Sequence, residues 1–474
     1  ARLRLKEAIL LGLEVLDRLG ESFPEKGSIA TLMTNLFHVK LMLSRKNNKD
    51  ILGLPDISCK TKLSAMTILN VLITYSYLGR PDLFPFFALR MVKLSMKYGL
   101  SAISSMGFCC YGLLLSAIGD FDGGNRFGEL SLCLLERYSS VMREWKPRVY
   151  MVYYGMIAHW KLPVKSTLEP ILEARQIGML IGDYEYASVS SFQYFCNAST
   201  AGVPLLTLEP PLRSAIVEMR ARKQQAWLEL ISLLREYIFI LKGKADDSVV
   251  VDGALMNQNE PSSPKMAEIL STANLNFQCY FCMASYYRMM TSFFLGDTNV
   301  ALEMARKSEK CDKIMPSSPV IRLQAFFDGL SAFDAVRRSQ LTHSLQLNAR
   351  KRLISRGKKK IRKLKKFSKH CPRNNEHVLL LLEAELAALK GKLEDATSKY
   401  SLSEEISRKE GYIDIQAIAC ERAGLTIKWS GKDEERSRIL IQRAIQLYRS
   451  WGAFAKVNQL LTLLENQSRE NLLV

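Results

Sequence analysis

The chain of 474 residues combines an ordinary globular composition with an uneven distribution of charge. Hydrophobic residues make up 48% and charged residues 24% of the sequence, which is typical of a chain that buries a core and excludes global disorder. The formal net charge is +19, but fourteen lysine and arginine residues and no carboxylate lie between Arg337 and Lys369. The positive charge is therefore concentrated in one segment.

Apolar residues recur at helical spacing from the start of the chain, at Leu5, Ile9, Leu13 and Leu16. The first residue is Ala1 rather than a methionine, and the helical pattern is already under way there. We therefore expect the chain to be cut from a longer polypeptide.

A turn recurs six times: an apolar run ends in glycine, a polar residue follows, and a second helix-like run begins. Glycine closes a helix in the left-handed conformation without a steric penalty, and aspartate just after it can cap the next helix. The six turns centre on Gly79, Gly119, Gly182, Gly296, Gly391 and Gly431. This pattern predicts stacked antiparallel helix pairs.

Three of the turns share a second feature, an alanine five residues after the glycine. These alanines are Ala187, Ala301 and Ala396, and a small residue there lets the second helix approach the first closely. The pattern resembles the tetratricopeptide repeat, whose second helix begins G-D-x-x-x-A. The resemblance implies an all-α fold, a tetratricopeptide-like solenoid of antiparallel helix pairs.

Two stretches test this interpretation. Residues 98–119 carry no charge, but their glycines, serines and tyrosines favour a buried helix over a membrane span, and we expect no transmembrane segment. Pro210 and Pro211 predict a break in the helical pattern, because proline disrupts the interior of a helix.

Residues 241–265 are rich in Asp, Asn, Ser, Gly and Pro and lack helical periodicity, so they predict an exposed loop. The loop divides the chain into an N-terminal helical repeat block, residues 1–240, and a C-terminal block, residues 266–474.

The cysteines and histidines show no metal-binding pattern. Cys279 and Cys282 form a CxxC pair, but no second pair or nearby histidines complete a zinc site, and the flanks are apolar. We interpret them as two buried small side chains. The histidines, including His370 and His377, are interpreted as surface or helix-cap residues.

Motifs for catalysis are also missing from the sequence. It contains no phosphate-binding loop, no HExxH, no protein-kinase catalytic loop and no nucleophile elbow. We therefore expect a non-catalytic chain that uses no cofactor and has no catalytic residues.

The charged segment predicts an amphipathic basic helix at residues 350–369, with a possible interruption at Gly357. Three interpretations stay open: a solvated face whose apolar stripe packs onto the next repeat, a contact for an acidic protein or anionic lipid surface, and a nucleic-acid site. The last lacks a recognised nucleic-acid-binding motif. The candidate contact residues are Arg350, Lys351, Arg352, Lys358, Lys359, Lys360, Arg362, Lys363, Lys365 and Lys366.

Longer stretches of the chain, such as AIACERAGLTIKWSG and AIQLYRSWGAFAKVNQL, resemble the helical repeat region of very large hybrid sensor kinases. In that family a kinase-like domain and an ATPase of the STAND class precede the repeats, and a GAF domain and a histidine kinase follow them. The similar stretches are residues 7–24, 96–115, 174–187, 366–396, 417–431 and 444–460.

This resemblance implies a cytoplasmic scaffold or regulatory connector in signal transduction, which contacts a protein partner or adjacent domains of a parent chain. The alternative is a basic module that binds nucleic acid or an anionic membrane surface. Near the C-terminus, Trp451 is expected to fill the core and Gly452 to end its helix. The other possibility for Trp451 is an exposed docking residue.

Overall fold

The computed structural model describes residues 2–24, 27–243, 275–342 and 345–472. Within these ranges the protein is all-α, as predicted: it contains no strand, and its one β-bridge joins Asp56 to Leu100. Most of the predicted exposed loop at 241–265 lies outside the described residues. Its first two residues, Leu241 and Lys242, complete a helix.

Among the described residues, twelve α-helices precede residue 244. They are α1 (Arg2–Arg18), α2 (Ile29–Leu43), α3 (Asn48–Leu52), α4 (Lys60–Gly79), α5 (Phe84–Tyr98), α6 (Ala102–Ala117), α7 (Phe121–Arg137), α8 (Met142–Val152), α9 (Leu168–Ile181), α10 (Tyr184–Thr200), α11 (Leu205–Ala221) and α12 (Gln225–Lys242). A π-helical turn, Tyr153–Ile157, follows α8 directly.

The described residues after 274 form ten more helices. They are α13 (Leu275–Phe294), α14 (Thr298–Lys307), α15 (Cys311–Ile314), α16 (Val320–Thr342), α17 (Leu347–Ser368), α18 (Pro372–Leu389), α19 (Leu393–Glu410), α20 (Ile413–Ser430), α21 (Glu434–Trp451) and α22 (Phe454–Leu472).

Most helices pack against the next helix in the chain, as in α6 with α7, α18 with α19 and α20 with α21. Contacts between α4 and α13, between α10 and α16 and between α12 and α22 join helices on the two sides of residues 244–274. The largest hydrophobic core accordingly contains residues from both sides, from Phe121 to Leu460.

The glycine turns behave as the sequence predicts. Five of the six marker glycines adopt a positive φ, for example 80° at Gly182 and 83° at Gly296, while Gly79 is the last residue of α4. Asp183 and Asp297, which follow two of them, accept a hydrogen bond from a backbone N–H in the first turn of α10 and α14. The alanines at 187, 301 and 396 are all buried.

The uncharged stretch at 98–119 forms α6, which is buried along almost its whole length, as predicted. Among the helices in the described parts of the chain, none combines the length and the apolar character that a membrane crossing requires.

The break predicted at Pro210 and Pro211 is wrong, because both prolines lie inside the continuous helix α11. Both prolines are exposed, and so are Leu206 and Thr207, whose carbonyl groups would have accepted the missing N–H bonds. Water can satisfy these carbonyls, while Leu205, Leu208 and Leu212 are buried on the other side of the helix.

The prediction of surface or cap histidines is wrong for two of them. His159 and His377 are buried, and the His377 ring stacks on Tyr412 with centroids 4.3 Å apart. Burial lowers the pKa of His159 to about 3 and holds the pKa of His377 well below its ordinary value. Both rings are therefore neutral in the folded protein, whereas His38 is exposed.

The buried histidines predict that acid weakens the fold. Below pH 6.5 the unfolded chain binds protons at these side chains and the folded chain does not, so stability falls as the pH falls. At pH 5 the loss is about 2 kcal/mol per histidine. We expect His377→Phe, which keeps the contact with Tyr412, to lose less stability between pH 7 and pH 5 than the wild type.

Denaturant unfolding at the two pH values measures this difference, and comparison with the wild type cancels the contribution of the carboxylates. His38→Asn is the control and should keep the wild-type pH dependence. Equal pH dependence in the wild type and in His377→Phe would contradict the assignment of a neutral buried ring.

Trp451 fills the core at the end of α21, and Gly452 ends this helix with φ of 98°. The ring is 2% exposed and its centroid lies 5.5 Å from that of Phe294 on α13. The core interpretation is therefore confirmed. Trp451→Ala is expected to lower the free energy of unfolding by about 3 to 5 kcal/mol, as measured by chemical denaturation. Ile439→Ala, at an exposed position of the same helix, should cost less than about 0.5 kcal/mol.

Candidate interaction surface

The basic segment forms one continuous helix, α17, because its many lysine, arginine and leucine residues favour the helical conformation. No interruption occurs at Gly357. This glycine is buried where α17 crosses α16, and a Cβ there would lie 2.3 Å from the ring of Phe333. A larger residue would hold the two helices apart.

The inner side of α17 packs on α16, a helix whose residues from Val320 to Arg337 are all buried. Leu364 and Phe367 are buried on the inner side, and the Phe367 ring packs against Trp160 with centroids 4.9 Å apart. Asp328 of α16 is completely buried, and its carboxylate lies 2.7 Å from Lys360 Nζ and 2.9 Å from a terminal nitrogen of Arg356. These ion pairs bind α17 to the core.

Three of the ten candidate contact residues therefore bind inside the protein. Besides Lys360, Arg350 donates a hydrogen bond to the carbonyl oxygen of Ser339 at 2.7 Å, and Lys363 lies 2.9 Å from a carboxylate oxygen of Asp312. The sequence alone did not separate these three from the others. The sequence did contain one signal: Asp328 lies within the apolar run of α16, and a buried carboxylate requires a cation nearby.

The other seven candidate residues remain exposed, and Lys369 joins them just after the helix end. We call these eight residues the cationic face: Lys351, Arg352, Lys358, Lys359, Arg362, Lys365, Lys366 and Lys369. At 100° and 1.5 Å per residue they occupy a sector of about 140° and a length of about 27 Å. Within the described parts of the chain, none of the eight forms an ion pair.

The cationic face continues into a groove of about 730 Å³ between α14, α16 and α17. Arg306, Arg338 and Arg352 line it, one from each helix. Arg338 Nε also lies 2.7 Å from the buried carboxylate of Asp334, whereas Arg306 is exposed and has no ion pair among the described residues. Sequence analysis missed Arg306 and Arg338 because only folding brings them close to Arg352.

A buried network of charges fixes α16 on its other side. Arg422 of α20 forms a bidentate pair with Glu385 of α18, at 2.8 and 2.9 Å, and reaches Asp334 at 2.7 Å. Burial alone would raise the pKa of Glu385, but Arg337 and Arg422 hold it below its ordinary value. Because the charges in this network are paired with one another, we assign it a structural role.

The CxxC cysteines are buried, as predicted. Cys279 and Cys282 are 7% and 2% exposed, and the thiol of Cys311 donates to the carbonyl oxygen of Cys282. Burial raises the pKa of Cys279 to about 12, so its thiol is protonated at neutral pH. Within the described residues, no three histidine, cysteine or acidic side chains converge in a way that could hold a metal ion.

Comparison with known proteins shows similarity to a signalling protein. No protein-family model matches the chain. The chain is 24% identical over 143 residues to the hybrid signal transduction histidine kinase G of Dictyostelium discoideum. The aligned part is 30% of this chain and 4% of that protein, so the chain spans a small fraction of its relative. The similarity agrees with the resemblance to hybrid sensor kinases at the level of the protein class.

The two sides of α17 predict different responses to neighbouring substitutions. Lys360→Gln should lower the free energy of unfolding by about 1 to 3 kcal/mol, since it removes a charged hydrogen bond to the buried carboxylate of Asp328. Lys359→Gln, one residue away on the cationic face, should change it by less than about 0.5 kcal/mol. Chemical denaturation of the two variants measures both values. Equal stabilities would show that Lys360 is not an anchor.

Proposed function

We propose that this chain is a non-catalytic helical scaffold that mediates protein–protein or interdomain contacts within a signalling protein. The observation that carries the proposal is the cationic face, whose eight exposed cations form no ion pair with the described residues and lie on or just after a helix that is anchored by its other side. The similarity to a hybrid histidine kinase supports a place in signal transduction.

We further propose that the helices form a tetratricopeptide-like solenoid. Successive helices pack in pairs and left-handed glycines close many of them, which supports this architecture. By resemblance, the chain would connect an ATPase of the STAND class to GAF and histidine-kinase domains of a cytoplasmic parent protein. Binding of a partner could regulate such a protein only if the partner prefers one of its conformational states.

An acidic protein surface is the partner that suits the cationic face best. A helix that inserts into a membrane needs its apolar side free, and the apolar side of α17 is packed against α16. The exposed sector carries no aromatic residue on which unpaired bases could stack. The arginine groove beside it offers guanidinium groups from three helices, which suit carboxylates.

The alternative function is binding of nucleic acid or an anionic membrane by charge alone. A row of cations about 27 Å long could contact several phosphates without any base recognition. The two functions differ in the partner and in how binding responds to salt, which makes them separable by experiment.

The test removes five charges from the cationic face, with Lys358, Lys359, Arg362, Lys365 and Lys366 replaced by Gln. Lys360 is kept because it anchors the helix. We expect the wild type to bind a glutamate-rich peptide with an affinity that falls as salt increases, and the variant to bind at least about tenfold more weakly. Fluorescence anisotropy of a labelled peptide measures both affinities.

A matched control removes five exposed charges elsewhere, with Arg408, Lys409, Lys432, Arg436 and Arg449 replaced by Gln. This variant has the same net charge and should bind the peptide like the wild type. Equal loss in both variants would mean that net charge, not the cationic face, drives binding. Tighter binding to a DNA duplex or to phosphatidylserine vesicles than to the peptide would favour the alternative function.

A further inference from the structure

An apolar cavity lies between helices that are far apart in sequence. Its volume is about 100 Å³, and α4, α5, α6, α8, α10, α12 and α13 contribute to its wall. An internal cavity of about 150 Å³ with aliphatic and aromatic walls can bind benzene, so this volume suits a single ring once nearby side chains adjust. None of the residues that line the cavity belongs to the cationic face.

Much of the wall can adjust to a ligand. Five methionines line the cavity, and their flexible, polarisable side chains accommodate different shapes. They are Met106, Met151, Met156, Met283 and Met315. Met156 belongs to the π-helical turn Tyr153–Ile157, a rare conformation that is frequent at functional sites.

Glu185 is the one charged residue that lines this cavity in the described parts of the chain. It is half-buried and has no hydrogen-bond or ion-pair partner among the described residues. Arg148, whose positive charge acts on Glu185, is already bound to the carboxylate of Asp183 at 3.0 Å. A position in the first turn of α10 suits a negative charge but does not explain why it faces an apolar cavity.

The surroundings of Glu185 disfavour its negative charge. Burial raises its pKa, and the carboxylate of Asp183 adds to this effect, while Arg148 opposes it. Three other polar side chains of the wall already form hydrogen bonds: Thr74 and Tyr186 share one of 2.9 Å, and Gln193 donates to the carbonyl oxygen of Gly155 at 3.0 Å. Glu185 therefore remains available to a ligand.

We infer that this cavity binds a small organic cation, in which one aromatic ring or short alkyl chain carries an ammonium group. The apolar part fills the space between the methionines, and the ammonium group binds the carboxylate of Glu185. The rings of Phe84 and Trp227 also line the cavity, and the π faces of aromatic rings attract cations. A neutral ligand would leave the carboxylate without a partner, and an anion would be repelled.

Three probes that share one ring test the proposal on the full chain: phenethylamine, phenethyl alcohol and phenylacetate. Isothermal titration calorimetry at neutral pH should give the highest affinity for the amine and the lowest for phenylacetate. Glu185→Gln is expected to weaken amine binding by about tenfold to a hundredfold, since a charged hydrogen bond is lost, and to leave the alcohol nearly unaffected. Glu169→Gln, at an exposed position, is the control and should bind like the wild type.

A second variant tests the location independently of the charge. Val189→Phe places a ring in the cavity, and it should exclude all three probes while circular dichroism and thermal unfolding confirm that the chain is folded. If this variant does not fold, saturation-transfer NMR with the amine is compared between the wild type and Glu185→Gln. A weaker signal in Glu185→Gln would show that the amine binds beside this residue, in the cavity. Equal affinities for the amine and the alcohol, or no binding of any ring probe to the folded wild type, would overturn the inference.

Discussion

The carboxylates of Asp328 and Asp334 on α16 are the constraint on which the C-terminal half of the protein depends. They lie in the part of the helix, from Val320 to Arg337, that is buried on all sides, where an unpaired charge would cost several kcal/mol. Asp328 is neutralised by Lys360 and Arg356 of α17, and Asp334 by Arg422 of α20. Because each carboxylate accepts a cation from one particular helix, these pairs help to determine which helix packs on which side of α16.

The cationic face is a consequence of this arrangement. Since the inner side of α17 supplies the cations that the core requires, the helix cannot turn to expose Leu364 and Phe367. The cations that the core does not use point to solvent, in a row on a rigid support. An ordered helical backbone presents such charges at a lower entropic cost of binding than a disordered segment would.

The cavity beside Glu185, which helices of the N-terminal half line together with α13, depends on a different physical principle. Its walls are methionines, aromatic rings and thiols, and only Glu185 brings a charge among the residues that the structure describes there. Methionine side chains can pack in several conformations, whereas the ion pairs around α16 allow only one geometry. The protein therefore combines two kinds of packing. Ion pairs fix the helices around α16 and so hold the cationic face in place, while adaptable methionines line the cavity beside Glu185.

Local signals in the sequence determined the helices and many of their ends. The left-handed glycines, the aspartate caps, the buried alanines and the burial of Trp451 and α6 were all predictable, because backbone conformation and helical periodicity depend on residues a few positions apart. The same periodicity located the basic helix and most of the cationic face.

Only the tertiary structure decided which charged and polar residues are internal. The sequence did not distinguish Lys360 from the neighbouring lysines, because its partner Asp328 lies 32 positions earlier. His159 and His377 were expected at the surface but are buried. Pro210 and Pro211 were tolerated because their side of α11 faces water. The sequence also did not predict the groove lined by Arg306, Arg338 and Arg352. The same is true of the cavity beside Glu185. Burial and pairing depend on contacts between distant segments, and no local pattern contains those contacts.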